Sequence, residues 1–458
     1  MFSRKDLTKI ILPLMIQQLL SVTVGMVDSM MVASAGEAAV SGVSLVHSLD
    51  LLIMYIFLAL STGGAVIISQ SLGRGDGAFA NKAAKQLLYA VTAISAVVTV
   101  IVLIFRKPLL SVLFGDVDDA VMDSALSYFF YLALSFPIFG ILESASATFR
   151  AMGKSMITLT SSLIINAVNI VGNALLIYVF DMGAAGAAIA TLISRIVGAS
   201  IMMILIHNKS LPVHIEKLFN YKPDFAVIKN MLKIGIPSGI ENGMFQFGKL
   251  LTQSLISSFG TVSIAANAVA SSMASMQYVP GNAMGVASVA VVGKCIGAGE
   301  KKQAKKYSAI LLWVAYGTLA AVVIGMSIFA RPIIGIYDLS PESSDLARDI
   351  ILLHGAFAMV VWPLGFFLPH VFRAASDVKL TLFTSAICMW VFRVALGYVL
   401  ALETVSVFGL FEMPGLGMGV MGVWMAMMVD WVVRATVYLI HYLRGSWLKK
   451  YDKMHPTK

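Results

Sequence analysis

Twelve long apolar runs divide this chain, and their length constrains the fold more than any other feature. Each run is close to the roughly twenty residues that an α-helix needs to cross a bilayer. The runs are too long for the strands of a membrane barrel and do not alternate between polar and apolar residues. Charged residues make up 12% of the chain, about half of the roughly 25% that is usual in soluble domains. These features predict an all-α polytopic membrane protein.

The twelve predicted transmembrane helices form two six-helix lobes. The spans lie near residues 8–34, 45–72, 86–105, 124–149, 156–180, 184–207, 229–257, 264–293, 307–329, 346–372, 380–402 and 416–443. The predicted domains are an N-terminal lobe at 1–207, a cytoplasmic linker at 208–228, a C-terminal lobe at 229–443 and a cytoplasmic tail at 444–458. Basic residues concentrate at the N-terminus, in the even-numbered loops and in the tail, which predicts that both termini are cytoplasmic. This bias also accounts for most of the net charge of +9, so the charge is not a sign of nucleic-acid binding.

An internal repeat relates the two lobes at a constant offset of 224 residues. Pro13 corresponds to Pro237 and Gly73 to Gly297, and one ungapped register extends over about 100 residues. Because each repeat holds an even number of spans, the repeats are parallel and their pseudo-two-fold axis lies along the membrane normal. Two such lobes enclose a cleft, and rocking them gives alternating access, so the repeat favours a transporter.

Asp28 lies inside the first span, in the run IILPLMIQQLLSVTVGMVDSMMVA. A carboxylate in the middle of an apolar helix costs about 2.5–3.5 kcal/mol on insertion scales. It persists where it faces a protein interior or a wet cavity, and a poorly solvated carboxylate takes up a proton readily. We therefore hypothesise that Asp28 binds the coupling ion of a transporter. The alternative is a structural carboxylate hydrogen-bonded to another helix.

Polar residues in the fifth and sixth spans are candidate partners for this carboxylate. Asn169 and Asn173 stand one helical turn apart and present their amides on one face, and Thr191 on the next span adds a hydroxyl. Carbonyl and hydroxyl oxygens around one carboxylate could hold Na⁺, and the carboxylate could instead carry a proton. Interhelical hydrogen bonds, worth about 0.6 kcal/mol each, are the alternative explanation for the asparagines.

The other ionisable residues inside the spans divide into predicted pairs and single charges. Asp430 and Arg434 are spaced i, i+4 and are expected to pair along one helix face. Glu143 and Arg150 are seven residues apart and are expected to do the same. The cations without an evident partner are Arg195, Lys249 and Arg393.

Two acids of the second lobe are further candidates. Glu241 occupies the repeat position of Gln17, whereas Thr252 occupies that of Asp28, so the two lobes differ chemically. Asp377 is predicted at the cytoplasmic end of the tenth span, where a solvated loop acid is the alternative interpretation.

Motifs for catalysis and for metal binding are absent from the sequence. The two cysteines and seven histidines show no metal-ligand spacing. The patterns GxxxxGK[ST], HExxH and GxSxG do not occur, which argues against an ATPase, a zinc protease and an elbow-type hydrolase. We expect no enzyme activity, no cofactor and no metal beyond a possible Na⁺.

The sequence resembles the MATE (multidrug and toxic compound extrusion) family, within the superfamily that includes polysaccharide and lipid flippases. The resemblance covers nearly the whole chain and rests on four segments: PLMIQQLLSVTVGMVDSMMVA, SLGRGDGAFANKAAK, GKCIGAGEKKQAKKY and NAVNIVGNALLIYVFDMGAAGAAIAT. It implies a secondary antiporter of the plasma membrane that exports small organic cations in exchange for H⁺ or Na⁺. We expect it to act as a monomer.

The resemblance also assigns roles to residues. The N-lobe cation site would fall on Asp28, Asn169, Asn173 and Thr191. The C-lobe acids would be Glu241, in PSGIE, and Asp377, in RAASD. Some members of the family carry an acid where Asn173 stands, so the choice between H⁺ and Na⁺ stays open. A lipid-precursor flippase is the alternative function, and it should line the cleft with several cations that hold pyrophosphate.

Overall fold

The computed structural model describes residues 1–115, 118–216, 222–407 and 411–448. Residues 217–221 of the predicted linker and 449–458 of the predicted tail lie outside this part of the chain. Within it, ten helices are long and apolar enough to cross a membrane, or eleven if a bent helix pair counts as one span. The chain is therefore an all-α polytopic membrane protein, as predicted.

The chain forms two compact units, of which the first comprises Met1–Gly239 and Gly293–Glu300. Its helices follow one another through short connections, and several begin at a residue that can cap them, such as Asp76 or Asp118. They are α1 (Arg4–Ala33), α2 (Glu37–Gly73), α3 (Gly77–Phe114), α4 (Asp119–Leu134), α5 (Phe136–Met152), α6 (Ser155–Asn173) and α7 (Gly183–Ile206), and α8 (Phe225–Ser257) begins in this unit.

The second unit comprises Ile240–Val292 and Lys301–Lys458. Its elements are the rest of α8, α9 (Gly260–Gly297, which ends in the first unit), α10 (Lys301–Ile328), α11 (Ala330–Gly335), α12 (Pro341–Trp362), α13 (Leu368–Ala374), α14 (Lys379–Ile387), α15 (Leu396–Ala401), β1 (Thr404–Val407), β2 (Phe411–Pro414) and α16 (Gly419–Arg444). An aromatic core holds this unit together: Tyr278 stacks on Trp362 with ring centroids 5.3 Å apart and shares a 2.6 Å hydrogen bond with His354.

Each predicted span falls on a helix or on a run of consecutive helices. The span at 229–257 corresponds to α8, which is not among the apolar helices counted above because it carries polar residues such as Glu241, Gln246 and Lys249. The number twelve therefore stays a prediction. Several helices are longer than predicted, because polar first and last turns continue the helix beyond the apolar run.

Four predicted spans are continuous in the sequence analysis but bent or interrupted by π-helical turns in the structure. The span 124–149 consists of α4 and α5, which meet at Ser135 with a bend of 46°. Pro137, in the first turn of α5, lacks the amide that would continue the hydrogen-bond ladder. The spans 346–372 and 380–402 contain π-helical segments at Pro363–Phe367 and Cys388–Ala395. A further π-helical segment, Ala174–Val179, continues α6.

A short β-hairpin between α15 and α16 was not predicted. Strand β1 pairs antiparallel with β2, so that Val405 lies opposite Met413. The β-branched residues of Thr404–Val407 favour an extended strand over a further helical turn.

Close packing of repeat-related glycines marks the crossing of α2 and α9 within the first unit. A Cβ atom added at Gly73 would meet the backbone of Lys294, and one added at Gly297 would meet the backbone of Gln70. Gln70 and Lys294 are separated by the same 224 residues as Gly73 and Gly297. Equivalent residues thus exchange equivalent contacts, which is the contact pattern of a two-fold axis.

Candidate functional site

The structure brings together the four residues that were predicted to form the N-lobe cation site. Asp28 lies in the last two turns of the long helix α1, Asn169 and Asn173 lie in the last two turns of α6, and Thr191 lies in α7. Both asparagines are buried, whereas Asp28 and Thr191 are half-buried. The i, i+4 spacing of the asparagines sets both amides on the face of α6 that packs against α1 and α7.

The Asp28 carboxylate is held by amides from the neighbouring helix. Asn173 Nδ2 donates a hydrogen bond to Asp28 Oδ1 at 2.9 Å. Asn173 Nδ2 also lies 3.5 Å from Asn169 Oδ1. Asn169 Nδ2 lies 3.4 Å from Thr191 Oγ1, and the hydroxyl of Thr191 donates to the carbonyl of Ala187 at 3.0 Å. The four side chains therefore form one connected polar cluster.

The amide of Asn169 is oriented by Asp28. With its nitrogen toward Asp28, the amide donates to Oδ1 at 2.8 Å and to Oδ2 at 3.2 Å, which suits an ionised carboxylate. A protonated carboxyl at Asp28 would instead donate to the amide oxygen, because a carboxylic acid carries one O–H donor.

The oxygen atoms of the cluster also suit a small hard cation. Carboxylate, carbonyl and hydroxyl oxygens are the ligands that hard cations prefer. Asn173 Oδ1 is buried and has no hydrogen-bond partner among the described residues. An orphaned buried acceptor beside a carboxylate is the kind of atom that a cation would satisfy. The oxygen atoms of this cluster could therefore bind either Na⁺ or a proton.

Local helix geometry changes immediately after the site. The π-helical segment Ala174–Val179 begins at the residue after Asn173, and Phe180 N donates to Leu175 O at 3.0 Å across the wider turn. Such π-helical turns occur frequently at functional sites. No signal in the sequence indicated this feature.

The structure corrects the prediction that Arg195 has no partner. Arg195 Nη1 donates to Ser135 Oγ at 2.5 Å, at the break between α4 and α5, and Arg195 Nη2 lies 4.0 Å from Asp50 Oδ2. Its guanidinium also lies over the ring of Phe139, 5.1 Å from the centroid. These partners come from other helices, so sequence spacing could not reveal them. Asp50, which sequence analysis left aside, is buried.

The two candidate acids of the second unit have different partners. Glu241 Oε2 accepts a hydrogen bond from Arg373 Nη2 at 2.8 Å, and Glu241 Oε1 accepts one from Ser385 Oγ at 2.7 Å. Asp377 Oδ2 lies 2.8 Å from His441 Nε2. Asp377 is only 3% exposed, so the interpretation as a solvated loop acid is wrong.

Two predicted ion pairs are confirmed, and a second correction concerns Arg393. Asp430 Oδ1 accepts hydrogen bonds from Arg434 at 3.0 and 3.2 Å. Glu143 pairs with Arg150. Arg393 is not free as predicted, because its Nε lies 3.4 Å from Asp430 Oδ2.

Comparisons with known proteins identify the family. The family model MatE matches residues 13–175 and again residues 237–399. The second window begins at residue 237 and the first at residue 13, so the two windows are 224 residues apart, which is the offset of the internal repeat. The two matches together cover well over half of the chain.

Curated proteins and a solved structure agree with this match. The chain is 25% identical over 456 residues to a probable multidrug resistance protein NorM of Thermotoga maritima, covering 98% of this chain and 94% of that protein. It is 26% identical over 449 residues to the uncharacterized transporter YisQ of Bacillus subtilis, covering 96% and 94%. Its fold matches an outward-facing multidrug resistance MATE family transporter of the MOP superfamily, with a TM-score of 0.87 and 20% identity over 97% of this chain and 96% of that one. This chain belongs to the MatE (MATE) family, and it is a multi-pass membrane transporter rather than an enzyme.

Proposed function

We propose that this protein is a multidrug efflux antiporter of the plasma membrane. It exports small organic compounds, mainly organic cations, in exchange for H⁺ or Na⁺. It acts as a monomer, and both of its termini are cytoplasmic. The observation that carries this proposal is the cluster around Asp28, because one intramembrane carboxylate there meets two amides and a hydroxyl. The NorM relatives named as probable multidrug resistance proteins support the substrate class.

Coupling follows from competition between two forms of the Asp28 site. A proton or Na⁺ satisfies the facing oxygens of Asp28 and Asn169, whereas the ionised, empty carboxylate draws the nitrogen of the Asn169 amide toward it. A ligand shifts a conformational equilibrium only by its different affinity for the two states. Ion binding thus favours one of two alternating conformations of the lobes 1–207 and 229–443, and substrate binding favours the other.

The site residues divide into one ion-binding group and one supporting group. Asp28 carries the charge that the ion neutralises. Asn169, Asn173 and Thr191 supply the polar partners of both forms. Glu241 and Asp377 act in the second lobe, where each is already buried beside a basic side chain.

Export of a lipid-linked precursor is the second candidate function. Pyrophosphate recognition needs several free cations. Among the described residues, Arg195 and Arg393 are each close to a carboxylate, which leaves Lys249 as the free cation of the three. This supply is smaller than a flippase of pyrophosphate-linked lipids would need.

Gradient-driven efflux from proteoliposomes tests the proposal. Ethidium efflux is measured with a pH gradient and, separately, with a Na⁺ gradient, for the wild type and for Asp28→Asn. We expect one gradient to drive efflux and the variant to lose it while keeping its fold, because an amide at this position cannot change charge. The matched control is Ser29→Ala, which removes an exposed hydroxyl that bonds only to the carbonyl of Gly25 in its own helix. Undiminished gradient-driven efflux by Asp28→Asn would refute the role of Asp28.

A further inference from the structure

A polar stripe runs along α8 in the second unit. Asn242, Gln246, Lys249 and Gln253 are spaced i, i+4, i+7 and i+11, which sets them on one line of the helix. All four are half-buried or exposed, and Lys249 is exposed. Asn267 of α9 donates to Gln253 at 2.9 Å and accepts from Trp424 at 3.1 Å, so the stripe is anchored to the core of the unit.

The apolar exposed residues of α8 lie on a different line. Ile240, Phe247 and Leu250 are 49%, 52% and 54% exposed and point about a third of a turn away from the polar stripe. The acyl chains of lipids can pack against this line of apolar side chains. A charged side chain inside a membrane-spanning protein faces protein or a water-filled cavity instead. The polar stripe with Lys249 is therefore expected to face a water-filled cavity rather than lipid.

Positive charge on this surface exceeds negative charge. Lys249 has no acidic partner among the described residues. The charge of Arg393 acts on Lys249, and Arg393 shares the carboxylate of Asp430 with Arg434. Two of these cations thus share one acid. Arg393 Nε makes no hydrogen bond in the described part of the chain although the side chain is only 4% exposed.

The aromatic ring of Phe245 contacts Arg393 and lies one helical turn from Lys249. Phe245 lies one helical turn before Lys249, and the guanidinium of Arg393 lies over its ring, 5.0 Å from the centroid. Phe245 in turn contacts Phe366, with ring centroids 6.2 Å apart. An apolar aromatic surface bordered by the free cation Lys249 and by Arg393, which shares its carboxylate with Arg434, matches a planar aromatic compound that carries a carboxylate or a sulfonate.

We propose that Lys249, with Phe245 and Arg393, forms a binding site for the anionic group of aromatic anions. The proposal deepens the proposed efflux function, on which it rests, by extending the substrate class beyond organic cations. Lys249 supplies the salt bridge, Phe245 the stacking surface, and Arg393 the second positive charge. The site is separate from the Asp28 cluster, which belongs to the first unit.

Binding of fluorescein, a planar aromatic dianion, tests this site. Fluorescence anisotropy is measured on the full chain in a neutral detergent without added lipid, so that an anionic lipid headgroup cannot take the place of the dye. We expect Lys249→Met to raise the Kd about tenfold, equivalent to about 1.4 kcal/mol. Lys249→Arg should stay within about twofold of the wild type, because it keeps the charge. Lys233→Met, on the same helix and also exposed, is the matched control and should leave the Kd unchanged.

The outcomes separate this site from the efflux function. Fluorescein binding that weakens in Lys249→Met and returns in Lys249→Arg supports the site, whether or not the wild type exports ethidium. Equal binding by the wild type and Lys249→Met, or no binding by the wild type, overturns the site even if ethidium is exported.

Discussion

Replacement of Gly297 by alanine tests the helix crossing that relates the two repeats. A Cβ atom at this position would clash most severely with the carbonyl oxygen of Gln70 and would also lie 2.6 Å from its carbonyl carbon and 2.7 Å from its Cα. The optimal separation between carbon atoms is about 3.5–4.0 Å. Since the obstructing atoms are backbone, no side-chain rotation can relieve the clash, and α2 and α9 must move apart by about 1 Å to restore that separation.

The expected change in the free energy of unfolding follows from two opposing contributions. Overpacking of a tight interface costs about 1–3 kcal/mol, and a clash with backbone belongs at the upper end of that range. Alanine stabilises a helix relative to glycine by about 1 kcal/mol. We therefore expect Gly297→Ala to lower the free energy of unfolding by about 2 kcal/mol. The repeat-related Gly73→Ala should have a similar effect, because its Cβ would lie 2.9 Å from the carbonyl carbon of Lys294.

Unfolding of the purified protein by SDS titration from neutral micelles measures this change. Gly317→Ala in α10 is the matched control, because a Cβ there meets nothing within 4 Å and should stabilise the protein. The double variant Gly73→Ala and Gly297→Ala should lose less than the sum of the single losses, because one displacement relieves both clashes. Stability of Gly297→Ala equal to or above that of the wild type would refute the close crossing.

Two other changes test electrostatic contacts of the first unit. The ion pair with Lys82 and amide hydrogen bonds at the start of α8 hold the pKa of the Asp224 carboxyl, at the protein surface, below its ordinary value. This contribution to stability is present above the unfolded pKa, about 3.9, and is lost as pH falls through the lower folded pKa. Asp224→Asn should therefore lower the midpoint of thermal unfolding more at pH 7 than at acidic pH where the folded carboxyl is protonated, and an equal loss at both pH values would contradict the ion pair. Arg195→Met should cost about 3–5 kcal/mol in SDS titration because it leaves Asp50 buried without its cation, and adding Asp50→Asn should recover part of that loss; no recovery would show that the two do not interact.

The helical class, the repeat and the residues of the Asp28 cluster could be predicted from the sequence. Apolar run length and the 3.6-residue period act within one helix and depend on few neighbours. The one-turn spacing of Asn169 and Asn173 already sets both amides on one face. The position of Asp28 inside an apolar span indicated an ion-binding carboxylate, and the resemblance to the MATE family grouped it with Asn169, Asn173 and Thr191 in one site. The structure places the four side chains in one cluster.

Only the tertiary structure decided the partners of the charges that no spacing within one helix pairs, such as Arg195, Arg393 and Asp377. Arg195 finds Ser135 across 60 residues of sequence, and His441 finds Asp377 across 64. Such pairs depend on how far each helix is rotated and where it bends, and neither quantity is encoded in the spacing of one segment. The bend at Ser135 places this residue beside Arg195. The π-helical segment Cys388–Ala395 carries Arg393, which pairs with Asp430. Sequence periodicity assumes straight helices, so it misses the contacts that broken helices create.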